Sequence, residues 1–178
     1  AQIINHFKNH PKIKVALVVT NKVSAGVVKI AETECIPVLL LDRERFYTGD
    51  AFCALLKEKG IQFIVLAGFL WKVPTTLINA YKSKIVNIHP ALLPKFGGKG
   101  MYGHHVHGAV IKEGEKESGI TIHYVDELYD HGAIIFQATC PVLPGDTAPS
   151  LGQRVLSLEH LHYPVVIERV VQQKALFK

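Results

Sequence analysis

Residues 62–89 read QFIVLAGFLWKVPTTLINAYKSKIVNIH. The run opens on a continuous apolar stretch, Gln62–Ala67. It passes through a segment that begins with proline, Pro74–Tyr81, and returns to β-branched residues in Lys84–His89. A short apolar run without alternation fits a strand buried on both faces. Proline suits the first turn of a helix, where its missing N–H costs nothing. Strand, short helix, strand is a βαβ unit, which implies parallel pairing and a right-handed crossover.

The same alternation continues upstream. KVALVVT (Lys14–Thr20) reads as a strand, Ser24–Glu34 as a helix, and PVLLL (Pro37–Leu41) as a strand. Asp50–Lys59 reads as a helix closed by Gly60, a common C-terminal stop. Downstream the pattern changes. Residues 95–104 (KFGGKGMYGH) are glycine-rich and read as a mobile loop. A helix is expected over His105–Lys112. Gly119–Val125 and Ala133–Val142 read as two strands joined by the turn DELYDHG, close enough to pair antiparallel. Ser150–Gln173 reads as a long closing helix with a break at Pro164. The expected architecture is α/β: one domain over residues 1–178, a doubly wound, mostly parallel sheet, and an antiparallel C-terminal strand.

Composition narrows the function. The chain has 178 residues, 48% hydrophobic and 20% charged, which suits a folded domain with a sizeable core. No apolar run approaches the 18 or so residues of a membrane span, and AQIINHFKNHPKIK has no signal-peptide pattern. The three cysteines (Cys35, Cys53, Cys140) are scattered, as expected of reduced thiols in a cytoplasmic protein. The net charge of +5 is spread rather than clustered, with no aromatic–basic stripe, so no nucleic-acid partner is expected. A modest positive field suits small anionic substrates.

Asn87 and His89 interrupt the last strand of the opening stretch. Side chains two apart on a strand share a face, and ligands of open parallel sheets bind beyond the carboxyl ends of the strands. The amide and the imidazole therefore converge on one small volume where Pro90 ends the ladder. An amide can donate to a developing oxyanion, and an imidazole can act as acid or base near neutrality. Together they suit acyl transfer through a tetrahedral intermediate. Such a site calls for a carboxylate, and Asp126 and Asp130 in the following turn are the candidates.

IVNIHPALLP (residues 85–94) followed by GITIHYVDELYDHGAIIFQ (residues 119–137) resembles the formyltetrahydrofolate-dependent formyltransferases, and within them the glycinamide ribonucleotide (phosphoribosylglycinamide) formyltransferase group. The resemblance runs from about Lys14 to the C-terminus. It implies a doubly wound, Rossmann-like fold. It implies transfer of the formyl group of 10-formyltetrahydrofolate to the amine of glycinamide ribonucleotide, a step of purine synthesis, by a monomer or homodimer with no metal. By the resemblance Asn87, His89 and Asp130 are catalytic. Asn87 and protonated His89 would stabilise the oxyanion. Asp130 would raise the His89 pKa and help move protons.

The resemblance further implies a pterin pocket. Its walls would be Leu66, Phe69 and Val73, with Leu70, Trp71, Lys72 and Val73 reading the pterin edge through their backbone. The turn Asp126, Glu127, Leu128, Tyr129 and Asp130 would close the other side. Many relatives have Arg and an aliphatic residue where this chain has Trp71-Lys72. On the ribonucleotide side the resemblance points to Arg45, Ile88, His89, Pro90 and Glu159, the last holding sugar hydroxyls, with weaker support for Ile135 and Gln137.

The family opens with an apolar strand and a Gly-Ser-Gly-x-Asn type loop that cradles the substrate phosphate. Here AQIINHF reads as the helix after that loop. The expectation is that the first family strand is missing from this sequence, so no phosphate-loop residue is named. FGGKGMYG lacks the G-K-[ST] ending of a phosphate loop. His104, His105 and His107 have no cysteine or carboxylate at ligand spacing, so no metal site is expected. Two alternatives keep the same fold: a formyltetrahydrofolate hydrolase, and a folate-binding module without catalysis.

Overall fold

The computed structural model of the chain describes residues 1–47 and 50–175. They form two compact units: residues 1–62 with 74–80, and residues 63–73 with the chain from 81 onward.

The first unit holds α1 (Gln2–Phe7), β1 (Val18–Thr20), α2 (Gly26–Thr33), β2 (Val38–Leu40), α3 (Arg43–Tyr47), α4 (Asp50–Glu58) and α5 (Thr75–Ala80). β1 and β2 pair in parallel, Val18 opposite Val38 and Thr20 opposite Leu40. Ile4, Val18 and Ala31 form a small core, joined by Val27, Ile30 and Val38. The end of α4 shows why a glycine stands there. Gly60 takes φ +68°, its N–H donates to the Lys57 carbonyl, and the Ile61 N–H donates to the Leu56 carbonyl. This six-to-one closure satisfies carbonyls that the helix end would leave bare. The sequence reading had no separate α3. There the Asp42 carboxylate accepts from the Arg45 backbone N–H at 2.7 Å, a side-chain cap that starts a short helix.

The second unit holds β3 (Ile64–Leu66), β4 (Ile85–His89), α6 (His104–Lys112), β5 (Glu117–Tyr124), β6 (Ile134–Pro141) and α7 (Ala148–Ala175). Its sheet runs β3-β4-β5-β6. β3 and β4 are parallel, while β5 is antiparallel to both of its neighbours. The expected antiparallel element is thus a pair of ladders rather than one strand. β3 is half-buried along its length, not covered on both faces. The strand buried throughout is β5, whose Ser118–His123 run is inaccessible despite its polar residues. Ile85, Val86, Ile120 and Ile122 of the sheet are buried along with Val106 and Val110 of α6 and Leu151 and Val155 of α7.

α7 does not break at Pro164 but continues through it. A proline removes one N–H and crowds the carbonyl four residues back. Here Pro164 lies in a buried stretch with Tyr163, Val166 and Ile167, and burial of that face outweighs the lost bond. Among the described residues no helix is long and apolar enough to cross a membrane.

Candidate active site

β4 delivers Asn87 and His89 to one face, as their spacing requires, and β5 sets His123 directly opposite Asn87 and Thr121 opposite His89. The turn after β5 brings Asp130 back over them. Gly132 permits this return, since a Cβ there would collide with the Tyr124 carbonyl. A one-residue irregularity in the β5–β6 ladder falls between Ile122 and His123. Such bulges re-aim side chains beside sites.

Four side chains meet. The Asp130 carboxylate lies 3.5 Å from His89 Nδ1 and 3.6 Å from His123 Nε2. Asn87 Nδ2 donates to Asp130 Oδ1 at 3.5 Å and lies 3.2 Å from His123 Nε2. The backbone settles both tautomers. His89 Nε2 is 2.8 Å from the Phe96 carbonyl, and His123 Nδ1 is 2.8 Å from the Tyr124 carbonyl. A carbonyl only accepts, so those two nitrogens carry protons. In the neutral ring His123 Nε2 is then an acceptor for the Asn87 amide.

The glycine-rich segment is wired into this cluster. Besides the Phe96 carbonyl on His89, the Gly98 N–H donates to Asp130 Oδ2 at 3.0 Å. Gly97 sits between them, where a Cβ would lie 2.6 Å from Leu93 Cδ2 and 3.3 Å from Asp130 Cβ. Phe96 and Asp130, the two residues that face His89 at its two nitrogens, are both non-glycine residues in the left-handed region, at φ +58° and +54°. Each such conformation costs about 1–3 kcal/mol and tends to mark functional sites.

Burial and charge oppose each other at His89. Burial lowers its pKa, and the Asp130 carboxylate and the Phe96 carbonyl raise it; burial prevails, so the net direction is down. Asp130 thus pulls in the expected direction, and burial sets the sign of the sum. The ring is 3% exposed, and desolvation penalises its cation. For Asp130 burial pushes upward, but the His123 ring at 3.6 Å, the His89 charge and the Gly98 N–H together win and hold it below the ordinary carboxylate range.

Thr121 holds the turn that follows β4. Its hydroxyl donates to the Ala91 carbonyl at 2.7 Å and accepts from the Leu93 N–H at 3.0 Å and from Gln137 Nε2 at 2.9 Å, while Gln137 also reaches the Leu93 carbonyl. Gln137 therefore braces residues 91–93, and Ile135 is half-buried beside it in β6.

The remaining candidates are placed as follows. Leu66 ends β3, with Phe69 and Trp71 half-buried and packed edge to face at 5.8 Å, Val73 buried, and Leu70 and Lys72 exposed. In the turn, Asp126 accepts from the Leu128 N–H and lies 3.0 Å from His131, while Glu127, Leu128 and Tyr129 are exposed. Ile88 is buried and Pro90 half-buried. Glu159 lies on α7, where burial pushes its carboxyl up to about 7. Arg45 lies on α3 in the first unit, exposed. No group of three or more potential metal ligands occurs among the described residues.

Sequence reasoning missed His123, Thr121 and the backbone of Phe96 and Gly98 as parts of the site. His123 had one signal, its place in GITIHYV seven residues before Asp130. The loop had none, because its contribution is main-chain.

The formyl transferase family model matches residues 1–167. The chloroplastic phosphoribosylglycinamide formyltransferase of Vigna unguiculata is 44% identical over 168 residues, 92% of this chain and 54% of that one. That of Bacillus subtilis is 37% identical over 160 residues, 88% of this chain and 80% of that one. The chain thus spans about half the length of the Vigna protein and most of the bacterial one. The crystal structure of phosphoribosylglycinamide formyltransferase from Bacillus halodurans superposes with a TM-score of 0.84 at 37% identity, covering 96% of this chain and 88% of that one. On the sequence, the fold and these likenesses together, the chain belongs to the formyl transferase family, among the phosphoribosylglycinamide formyltransferases.

Proposed function

We propose that the chain transfers the formyl group of 10-formyltetrahydrofolate to the amine of glycinamide ribonucleotide in purine synthesis. The observation that carries this is the Asn87–His89–Asp130 cluster, with His89 buried, at the carboxyl end of a parallel strand in a chain of this family. The ribonucleotide amine attacks the formyl carbon, a C–N bond forms, and the formyl oxygen becomes anionic. In the substrate complex the Asn87 amide and the Nδ1–H of protonated His89 donate to that oxygen in place of their longer contacts with Asp130. The developing oxyanion and Asp130 both favour the imidazolium, against the burial that disfavours it in the free chain. Collapse breaks the bond from carbon to the folate N10, and the proton lost by the amine passes to N10 with Asp130 as the relay.

The segment Leu66–Val73 and the turn Asp126–Asp130 are the surfaces offered to the pterin. Glu159, Ile88 and Pro90 are offered to the ribonucleotide. The active form is a monomer or homodimer. The Vigna relative is named chloroplastic, so fractionation decides between a plastid and the cytoplasm. The decisive assay follows absorbance of a 10-formyl folate with and without glycinamide ribonucleotide. Folate release that requires the ribonucleotide is expected. Release without it would make the chain a hydrolase, and release under neither condition would leave a binding module.

A further inference from the structure

Tyr163 lies on α7, 4% exposed. Its hydroxyl donates to the Leu66 carbonyl at 2.7 Å and shares the proton with the Val86 carbonyl at 3.3 Å. Leu66 is the last residue of β3 and stands opposite Asn87 in the β3–β4 register, and Val86 immediately precedes Asn87. One hydroxyl from a distant helix therefore engages the backbone of both parallel strands at the point where they deliver the site. β3 pairs in parallel with β4 up to Leu66. Beyond Leu66 the chain turns through Gly68, at φ +67°, into the segment that carries Phe69 and Trp71.

We propose that Tyr163 is a positioning residue for the formyl-transfer site: its hydroxyl fixes the exit of residues 67–73 relative to the Asn87 amide. This rests on the function proposed above, and the donor segment and the oxyanion donor are the two parts it ties together. Two strand ends fastened by one shared hydroxyl loosen against each other when the hydroxyl goes. A buried tyrosine that only filled volume would tolerate loss of its oxygen at the site.

Tyr163→Phe tests this, because it keeps the ring and removes the donor. Trp71 is the only tryptophan of the chain and sits in the affected segment, so its fluorescence reads the segment without substrate. The expected result is at least a twofold rise in quenching of Trp71 by acrylamide and at least a fivefold rise in KM for the formyl folate. The KM for the ribonucleotide should stay within twofold. Val155→Ala is the control for general loosening, since Val155 is fully buried on the same helix. Parent-like quenching in Tyr163→Phe would overturn the proposal, as would the same quenching change in Val155→Ala at a matched loss of Tm. Should Tyr163→Phe not fold, amide exchange in the parent serves: Ala67 and Asn87 should share one opening, with protection within about tenfold, and independent openings would overturn it. A parent that transfers no formyl would refute the proposed function and leave the fluorescence result to stand or fall by itself.

Discussion

A methyl group at Gly97 would probe how the cluster is held. In Gly97→Ala the new carbon would lie 2.6 Å from Leu93 Cδ2 and 3.3 Å from Asp130 Cβ. Carbon atoms pack best at about 3.5–4.0 Å, so the first overlap is about 1 Å and the second a few tenths. Leu93 is 6% exposed and has little room to yield. Overpacking of this kind costs about 1–3 kcal/mol, which lowers Tm by roughly 3–9 °C in a chain of this size. Relief can also come from the other side, by moving the 96–98 segment away from Asp130. That weakens the Gly98 N–H bond to the carboxylate and the Phe96 carbonyl bond to His89. A misplacement of about 1 Å can cost about 100-fold in rate, so kcat/KM should fall about 10- to 100-fold. Thermal unfolding and the formyl-transfer assay read the two effects separately. Leu93→Val shortens the obstructing side chain, so the double variant should recover part of both losses, with a coupling of at least about 0.5 kcal/mol. Unchanged Tm and kcat/KM in Gly97→Ala would refute the reasoning, and so would strict additivity in the double variant.

Asp130→Asn removes the charge that pulls the His89 pKa upward, so the limb of the pH–rate profile set by protonated His89 should move to lower pH. Activity at pH 7 should fall about 10²- to 10⁴-fold, and an unmoved profile with full activity would take Asp130 out of the chemistry. The carboxyl is held below its ordinary value of 3.8, so it stabilises the fold above that pH and loses the contribution as pH falls through the folded pKa; the variant should show a flatter acid-unfolding curve. His123→Ala strips a partner from the Asn87 amide and from Asp130 in a site 2% exposed, which should cost about 1–3 kcal/mol and lower kcat with little change in the ribonucleotide KM. Glu159 has a folded pKa of about 7 against 4.5 unfolded, so the folded state holds its proton across that window and stability is lost as pH rises through it. Glu159→Gln should therefore match the parent at pH 4 and exceed it at pH 8 by on the order of 1–2 kcal/mol after allowance for solvent screening, as denaturant titration at the two pH values would show.

The order of elements and the pairing of Asn87 with His89 were legible in the sequence because both are local. Continuous apolar runs, a proline at Pro74 and a glycine at Gly60 act within one or two turns of themselves, and the two-residue period of a strand puts Asn87 and His89 on one face without help from the rest of the chain. The extent of burial was not legible. Every residue of β3 is apolar, yet β3 is only half-buried, while β5, with polar Ser118, Thr121 and His123, sits between two neighbours and is covered. Pro164 reads as a helix breaker, and only the burial of its helix face lets the helix pass through.

The wiring of the site was decided by tertiary structure alone. His123 reaches Asn87 across 36 residues, the Gly98 N–H reaches Asp130 across 32, and the Tyr163 hydroxyl reaches Leu66 across 97. Main-chain donors and acceptors are the same at every residue, so no sequence pattern marks which of them will hold a catalytic side chain. The protonation of His89 belongs to the same class. Sequence placed a carboxylate near it, which raises a pKa, but the sign of the net shift depends on how completely the packed chain removes water from the ring, and that is a property of the fold.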